Sequence, residues 1–143
     1  MHRRNEAEML DASDIPDELV QKAYQDLAAI HDWLGDVRFI VRAIRRNPLP
    51  VRRILDVGCA TGLILQRVGR TLGVEAIGVD IQPRPAVAAP VPIVRANACV
   101  DPLPAADVAF CMHLGHHLTG DDVIRLLRIR PLRQHSHHKG EQT

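Results

Sequence analysis

The stretch Ile54-Leu-Asp-Val-Gly-Cys-Ala-Thr-Gly62 decides the fold of this chain. Ile54, Leu55 and Val57 enter it as a short apolar run with the character of a buried strand. Leu63 to Leu72 leaves it with apolar residues at helical spacing, Gly73 ends that helix, and Val74-Glu-Ala-Ile-Gly-Val79 reads as a second buried strand. Strand, glycine turn, helix and strand within about 30 residues make a parallel βαβ unit. Gly58 and Gly62 let the backbone turn tightly and let a ligand approach with no side chain between. The helix that follows presents unpaired N–H groups to a polar or anionic ligand.

Asp80 closes the second strand, the position from which an acid accepts both hydroxyls of a ribose. Two classes of nucleotide cofactor use such a frame. Dinucleotide enzymes require G-x-G-x-x-G, with the pyrophosphate against the helix start. This loop reads G-x-A-x-G instead, and Asp56 precedes its first glycine by two residues. A carboxylate there repels a pyrophosphate but suits a ligand carrying an ammonium group. The pattern therefore favours a zwitterionic amino-acid nucleoside over a nicotinamide dinucleotide.

From Ile54 to Leu118 the sequence resembles the first half of a class I S-adenosylmethionine-dependent methyltransferase of the small-molecule type. The resemblance implies a Rossmann-like three-layer α/β/α fold with a parallel sheet in the order 3-2-1-4, preceded by helices. It implies S-adenosylmethionine as cofactor and a small-molecule methyl acceptor. Asp56, Gly58, Ala60 and Gly62 stand at the family's acid-glycine-x-glycine-x-glycine signature, which holds the methionine part of the cofactor, and Ala60 replaces its middle glycine. Asp80 corresponds to the ribose-binding acid, and Ile81 to the apolar residue that flanks adenine. Asn97, followed by Ala98, occupies the place of an acid that holds the adenine amino group, and its side-chain oxygen still accepts a hydrogen bond. Asn97 also suits a simple turn. Leu103-Pro104 and Asp107-Val-Ala-Phe110 resemble the run into strand four, and His116-His117-Leu118 is similar to the His-His-Leu found after it.

The remainder divides at two proline-rich points. Residues 1–50 read as helical, resembling a cap over the cofactor through Trp33-Leu-Gly35. Ser13 or Asp14 is placed to cap a first helix, whose stripe is Val20, Ala23, Leu27, Ile30 and Leu34. After Gly35 a second stripe follows, Val37, Ile40, Val41 and Ile44, and Asn47-Pro-Leu-Pro50 stops it. Residues 51–130 form the cofactor-binding domain, with a third strand over Ile93 to Ala96 and a fourth over Asp107 to Leu114. Between strands two and three, prolines leave room for one short turn near Ala86 to Ala89. Thr119-Gly-Asp-Asp122 opens a last helix as a capping box. Residues 131–143 carry no large apolar residue after Leu132 and are expected to be disordered.

A formal charge of +1 gives no general attraction to nucleic acid or membrane, and no apolar run is long enough for a span. Three cysteines at non-ligand spacings suggest reduced thiols in a cytoplasmic protein and no metal site. His113, His116 and His117 invite a general-base or metal reading, and His113 and His116 lie near the expected acceptor, yet methyl transfer from a sulfonium needs mainly alignment, so no catalytic residue is assigned. The resemblance stops after Leu127, which suggests a truncated end, an exposed edge on strand four and self-association. Two other readings stay open: a non-catalytic cofactor-binding remnant or interaction module, and a fragment of a nicotinamide-dependent oxidoreductase.

Overall fold

A computed structural model of the chain describes residues 16–83, 91–112, 114 and 118–128. Its elements run α1 (Asp17–Leu34), α2 (Asp36–Arg45), β1 (Arg53–Val57), α3 (Leu63–Leu72), β2 (Glu75–Asp80), β3 (Ile93–Arg95), β4 (Val108–Phe110) and α4 (Gly120–Arg128). The four strands form one parallel sheet in the order β3-β2-β1-β4, so the expected Rossmann-like topology is present. The expected caps Ser13 and Asp14, the turn near Ala86 to Ala89, and the tail 131–143 lie outside the described residues.

Because side chains alternate across a strand, β1 feeds two cores. Ile54 packs with Leu65 and Val68 of α3 and with Ile40, Val41 and Ile44 of α2. Leu55 and Val57 pack on the other face with Val79, Ala98 and Leu103. The second helical stripe read from the sequence is therefore the buried one, and Arg42, Arg45 and Phe39 face away from it, exposed. One aliphatic core spans the proline boundary at residue 50 and joins α2 to the sheet.

Helix α1 departs from its sequence pattern. Leu27, Ile30 and Leu34 are 40%, 51% and 60% exposed, while Val20, Ala28 and His31 are buried. The buried face is instead the one that carries two polar contacts. Arg67 of α3 donates to the Ala28 carbonyl (3.3 Å), and His31 Nδ1 lies 2.6 Å from Asp36 Oδ2 across the Gly35 turn. Gly35 adopts φ +87°, which interrupts the helix between α1 and α2.

Strand β4 is shorter than the expected run to Leu114. It pairs Val108, Ala109 and Phe110 with Ile54, Leu55 and Asp56. Pairing ends there because β1 itself turns away at Gly58, which has φ +79°. Its start is clamped by Asp107, whose Oδ2 accepts the Arg52 and Arg53 N–H groups (2.7 and 2.9 Å). Those bonds hold its carboxyl below the usual carboxylate range. Asp122 forms the expected capping box, accepting the Thr119 hydroxyl at 2.7 Å while its own N–H faces Thr119 Oγ1 at 3.3 Å.

Among the described glycines, Gly78 of β2 is the most closely approached. A Cβ there would collide with Cys59 Sγ and lie 3.1 Å from Cys59 Cβ. Gly78→Ala should therefore destabilise the fold by about 1–3 kcal/mol, with Cys59→Ala in the same chain restoring part of the loss. Thermal melts of the two single variants and the double variant measure that coupling. Additive losses would mean the two positions do not meet.

Candidate functional site

The loop after β1 is assembled by the end of β2. The Val79 carbonyl accepts the N–H groups of Gly58 (2.8 Å) and Cys59 (3.2 Å). Asp80 Oδ2 accepts the Ala60 N–H (2.9 Å), and its Oδ1 accepts the Gln82 N–H (2.8 Å). Gly58, Ala60 and Gly62 all take positive φ, at +79°, +47° and +75°. Such a path is easy for glycine and costs an L-residue about 1–2 kcal/mol. Ala60 is the only non-glycine residue among the described ones with positive φ, and the Asp80 hydrogen bond helps hold it there.

A cleft of about 260 Å³ opens at the carboxyl ends of the strands. Its walls bring together Gly58, Asp80, Ile81, Asn97 and Ala98, five of the eight residues expected from the sequence. Val57, Cys99, Leu114, Leu118 and Asp122 complete it. Ile81 stands at the lip, 56% exposed, and Ala98 is buried in the opposite wall. Asn97 organises the turn after β3. Its Oδ1 accepts the Cys99 N–H (3.0 Å), its carbonyl accepts the N–H groups of Val100 and Asp101, and its own N–H donates to Asp101 Oδ2 (2.7 Å).

The other three expected residues lie behind that wall. Gly62 faces inward, where an added Cβ would sit 2.7 Å from Val91 Cγ2 and 3.2 Å from Ile93 Cδ1. Its glycine is thus required by packing as well as by its φ. Ala60 serves the loop through its N–H. Asp56 is 4% exposed, and its Oδ1 has no hydrogen-bond partner. Burial, with a smaller contribution from the Asp80 carboxylate, pushes its carboxyl up to about 7. Cys59 beneath the loop is buried, and that burial, together with the Asp56 and Asp80 carboxylates, pushes its thiol up. It is a packed neutral side chain rather than a nucleophile.

Sequence patterns do not mark Cys99, Leu114 or Asp122 as cleft residues. The capping role of Asp122 accounts for its local signal, and no local pattern says that the start of α4 meets the turn after β3. That meeting is seen in Cys99 Sγ, 3.8 Å from the Asp122 carbonyl. Helices α1 and α2 stack on α3, and none of their residues lines this cleft. His113, His116 and His117 lie outside the described residues.

A glycine loop between the first strand and helix, an acid closing the second strand, and a cleft at the strands' carboxyl ends define a nucleoside-cofactor-binding α/β domain. The family model described as a methyltransferase domain matches residues 55–129, and the chain belongs to that family. No curated protein matches it in sequence. Among solved structures it is similar to the sugar N-methyltransferase KedS8 from Streptoalloteichus sp ATCC 53650. That match has a TM-score of 0.58 and 23% identity, over 73% of this chain and 46% of that one. It is also similar to the plantazolicin methyltransferase BpumL in complex with SAH. There the TM-score is 0.54 and the identity 18%, over 80% of this chain and 48% of that one. The chain thus spans about half the length of these solved structures. The cofactor of this family is S-adenosylmethionine, and the alternative of a nicotinamide-dependent oxidoreductase finds no support among the matches.

The strained alanine yields a direct test. Ala60→Gly removes the left-handed penalty but adds backbone freedom to the unfolded chain, worth roughly 0.5–1 kcal/mol. The net expectation is a gain of up to about 1 kcal/mol, read as a melting temperature higher by a few degrees. A lower melting temperature would mean Ala60 makes contacts that outweigh its strain.

Proposed function

We propose that this chain is the cofactor-binding half of a methyltransferase that moves a methyl group from S-adenosylmethionine to a small-molecule acceptor. The observation that carries the reading is the Asp80 carboxylate at the cleft wall beside Gly58. An ionised carboxylate has about four lone-pair positions. Two are used by the Ala60 and Gln82 N–H groups, which leaves two for the two hydroxyls of a ribose. Ile81 and Ala98 flank the adenine. Asn97 meets the adenine amino group with the second lone pair of Oδ1, the first being held by the Cys99 N–H. Gly58 admits the backbone of the methionine part, and Asp56, buried behind the loop, offers negative charge to its ammonium through the field rather than by contact. The bound cofactor supplies an electrophilic sulfonium methyl, and the chain's contribution is alignment and exclusion of water.

The sugar and plantazolicin methyltransferases that share the fold support a small-molecule acceptor. No helix among the described residues is long and apolar enough to cross a membrane. We propose a cytoplasmic compartment, in which the thiols of Cys59, Cys99 and Cys111 stay reduced. S-adenosylmethionine should raise the melting temperature, and NAD should not. Asp80→Ala should weaken cofactor binding about 10- to 150-fold, from the loss of roughly 1.5–3 kcal/mol of charge-assisted hydrogen bonding. Calorimetry with the variant checks this, and equal affinities would remove the ribose assignment.

A second reading, cofactor binding without turnover, is favoured by β4. It pairs with β1 alone among the described strands, and Ala109 in it is exposed. An open edge of this kind templates strand pairing between copies. We therefore expect the isolated chain to self-associate and to show little methyl transfer. Ala109→Lys should shift sedimentation toward the monomer. A monomeric parent with measurable turnover would discard this second reading.

A further inference from the structure

Asp56 is the least solvated acid among the described residues, and its surroundings offer nothing to balance a negative charge. One carboxylate oxygen, Oδ1, is buried without a hydrogen-bond partner. No ion pair among the described residues reaches it. Its strand neighbours are Gly78 on β2 and Phe110 on β4, and its face of β1 is that of Ile54, which packs against Leu65 and Val68. The ionisable group acting on it is Asp80 at the end of β2, itself an acid, and Asp56 acts in turn on the Cys59 thiol in the loop. An isolated buried carboxylate beside a second carboxylate is strongly disfavoured, and the least costly response is to take up a proton. A cationic group brought to the loop removes that reason.

We infer that Asp56 carries a proton in the cofactor-free protein and releases it to solvent when the cofactor's ammonium arrives, so that cofactor binding is linked to pH. The inference rests on the reading of the cleft as an S-adenosylmethionine site and deepens it. The neutral carboxyl becomes a carboxylate whose charge the ammonium offsets across the loop, without direct contact, and one proton goes to bulk water. Burial pushes the Asp56 carboxyl up to about 7 in the ligand-free fold. Affinity should therefore be constant above that pH and fall about tenfold per unit below it. The sign for stability follows from the same linkage. A carboxyl raised in the folded state binds its proton more tightly there than in the unfolded chain. Its contribution to stability is fully present below about 4 and is lost as pH rises to about 7.

Calorimetric titration of the full chain with S-adenosylhomocysteine, in two buffers of different ionisation enthalpy, tests this. At pH 5.5 close to one proton should be released per ligand bound, and at pH 8 close to none. Affinity should drop about 30-fold from pH 8 to pH 5.5. Methylthioadenosine, which shares the nucleoside but has no ammonium, should bind with no such slope. Asp56→Asn should abolish the slope for S-adenosylhomocysteine. Without ligand, the melting temperature of the parent minus that of Asp56→Asn should fall between pH 4 and pH 7. Binding at pH 8 with equal affinity and no proton release at pH 5.5 overturns the inference and leaves the cofactor reading intact. An absence of binding at pH 8 overturns the cofactor reading itself, and the proton linkage of binding falls with it.

Discussion

The hydrogen bonds between the end of β2 and the loop after β1 are the constraint on which the rest of this structure depends. Val79 and Asp80 together receive three consecutive N–H groups of that loop, those of Gly58, Cys59 and Ala60. Parallel pairing of β1 with β2 brings the two strand ends level, Val57 opposite Val79, so strand register alone puts the acceptors in place. Once the N–H groups are taken, the loop follows positive φ at Gly58, Ala60 and Gly62. The backbone of Gly58 is left facing the cleft, and the chain is delivered to the first turn of α3. Asp80 thus has two duties, tying the loop and presenting its remaining lone pairs. That coupling makes the shape of the site a consequence of the fold.

The same architecture concentrates negative charge. Asp56 and Asp80 lie at the ends of adjacent strands, each raising the cost of ionising buried groups nearby, as the thiol of Cys59 registers. A core position filled by a carboxyl with an unpartnered oxygen is locally unfavourable, and a protein designed only for stability would not hold it. Such conflicts between local preference and global fold are expected at functional sites, where stability is traded for ligand recognition. Ala60 is a second conflict of this kind, strain at a position where glycine would be at ease.

Much of the fold is legible in the sequence. The periods of the stretches flanking residues 54–62 distinguish strand from helix, and α3 occupies Leu63 to Leu72 as its pattern indicates. The stripe on α2 is the core stripe because nothing competes with its burial. The stripe on α1 is not, and the reason is specific. Ala28 allows a close approach to Arg67, and His31 gains a hydrogen bond with Asp36, so the helix turns Leu27, Ile30 and Leu34 outward. Hydrophobic periodicity counts apolar area, whereas packing also weighs fit and hydrogen bonding. Strand β4 ends early for a comparable reason, since its length is set by where β1 turns away and not by its own apolar run.

What the sequence by itself determined was the parallel βαβ unit, the glycine loop within it and the acid at the end of the second strand. These depend on local conformational freedom and on residue spacing, both written in one continuous segment. Only the tertiary structure decided which of the eight expected residues share a wall. Gly58, Asp80, Ile81, Asn97 and Ala98 meet around the cleft, while Asp56, Ala60 and Gly62 support it from behind. It alone brought Cys99, Leu114 and Asp122 to the same cleft and put Gly78 against Cys59. The physical reason is that side chains alternate across a strand, so neighbours in the motif point to opposite faces. Residues distant in the chain are brought together only when the strands take their register.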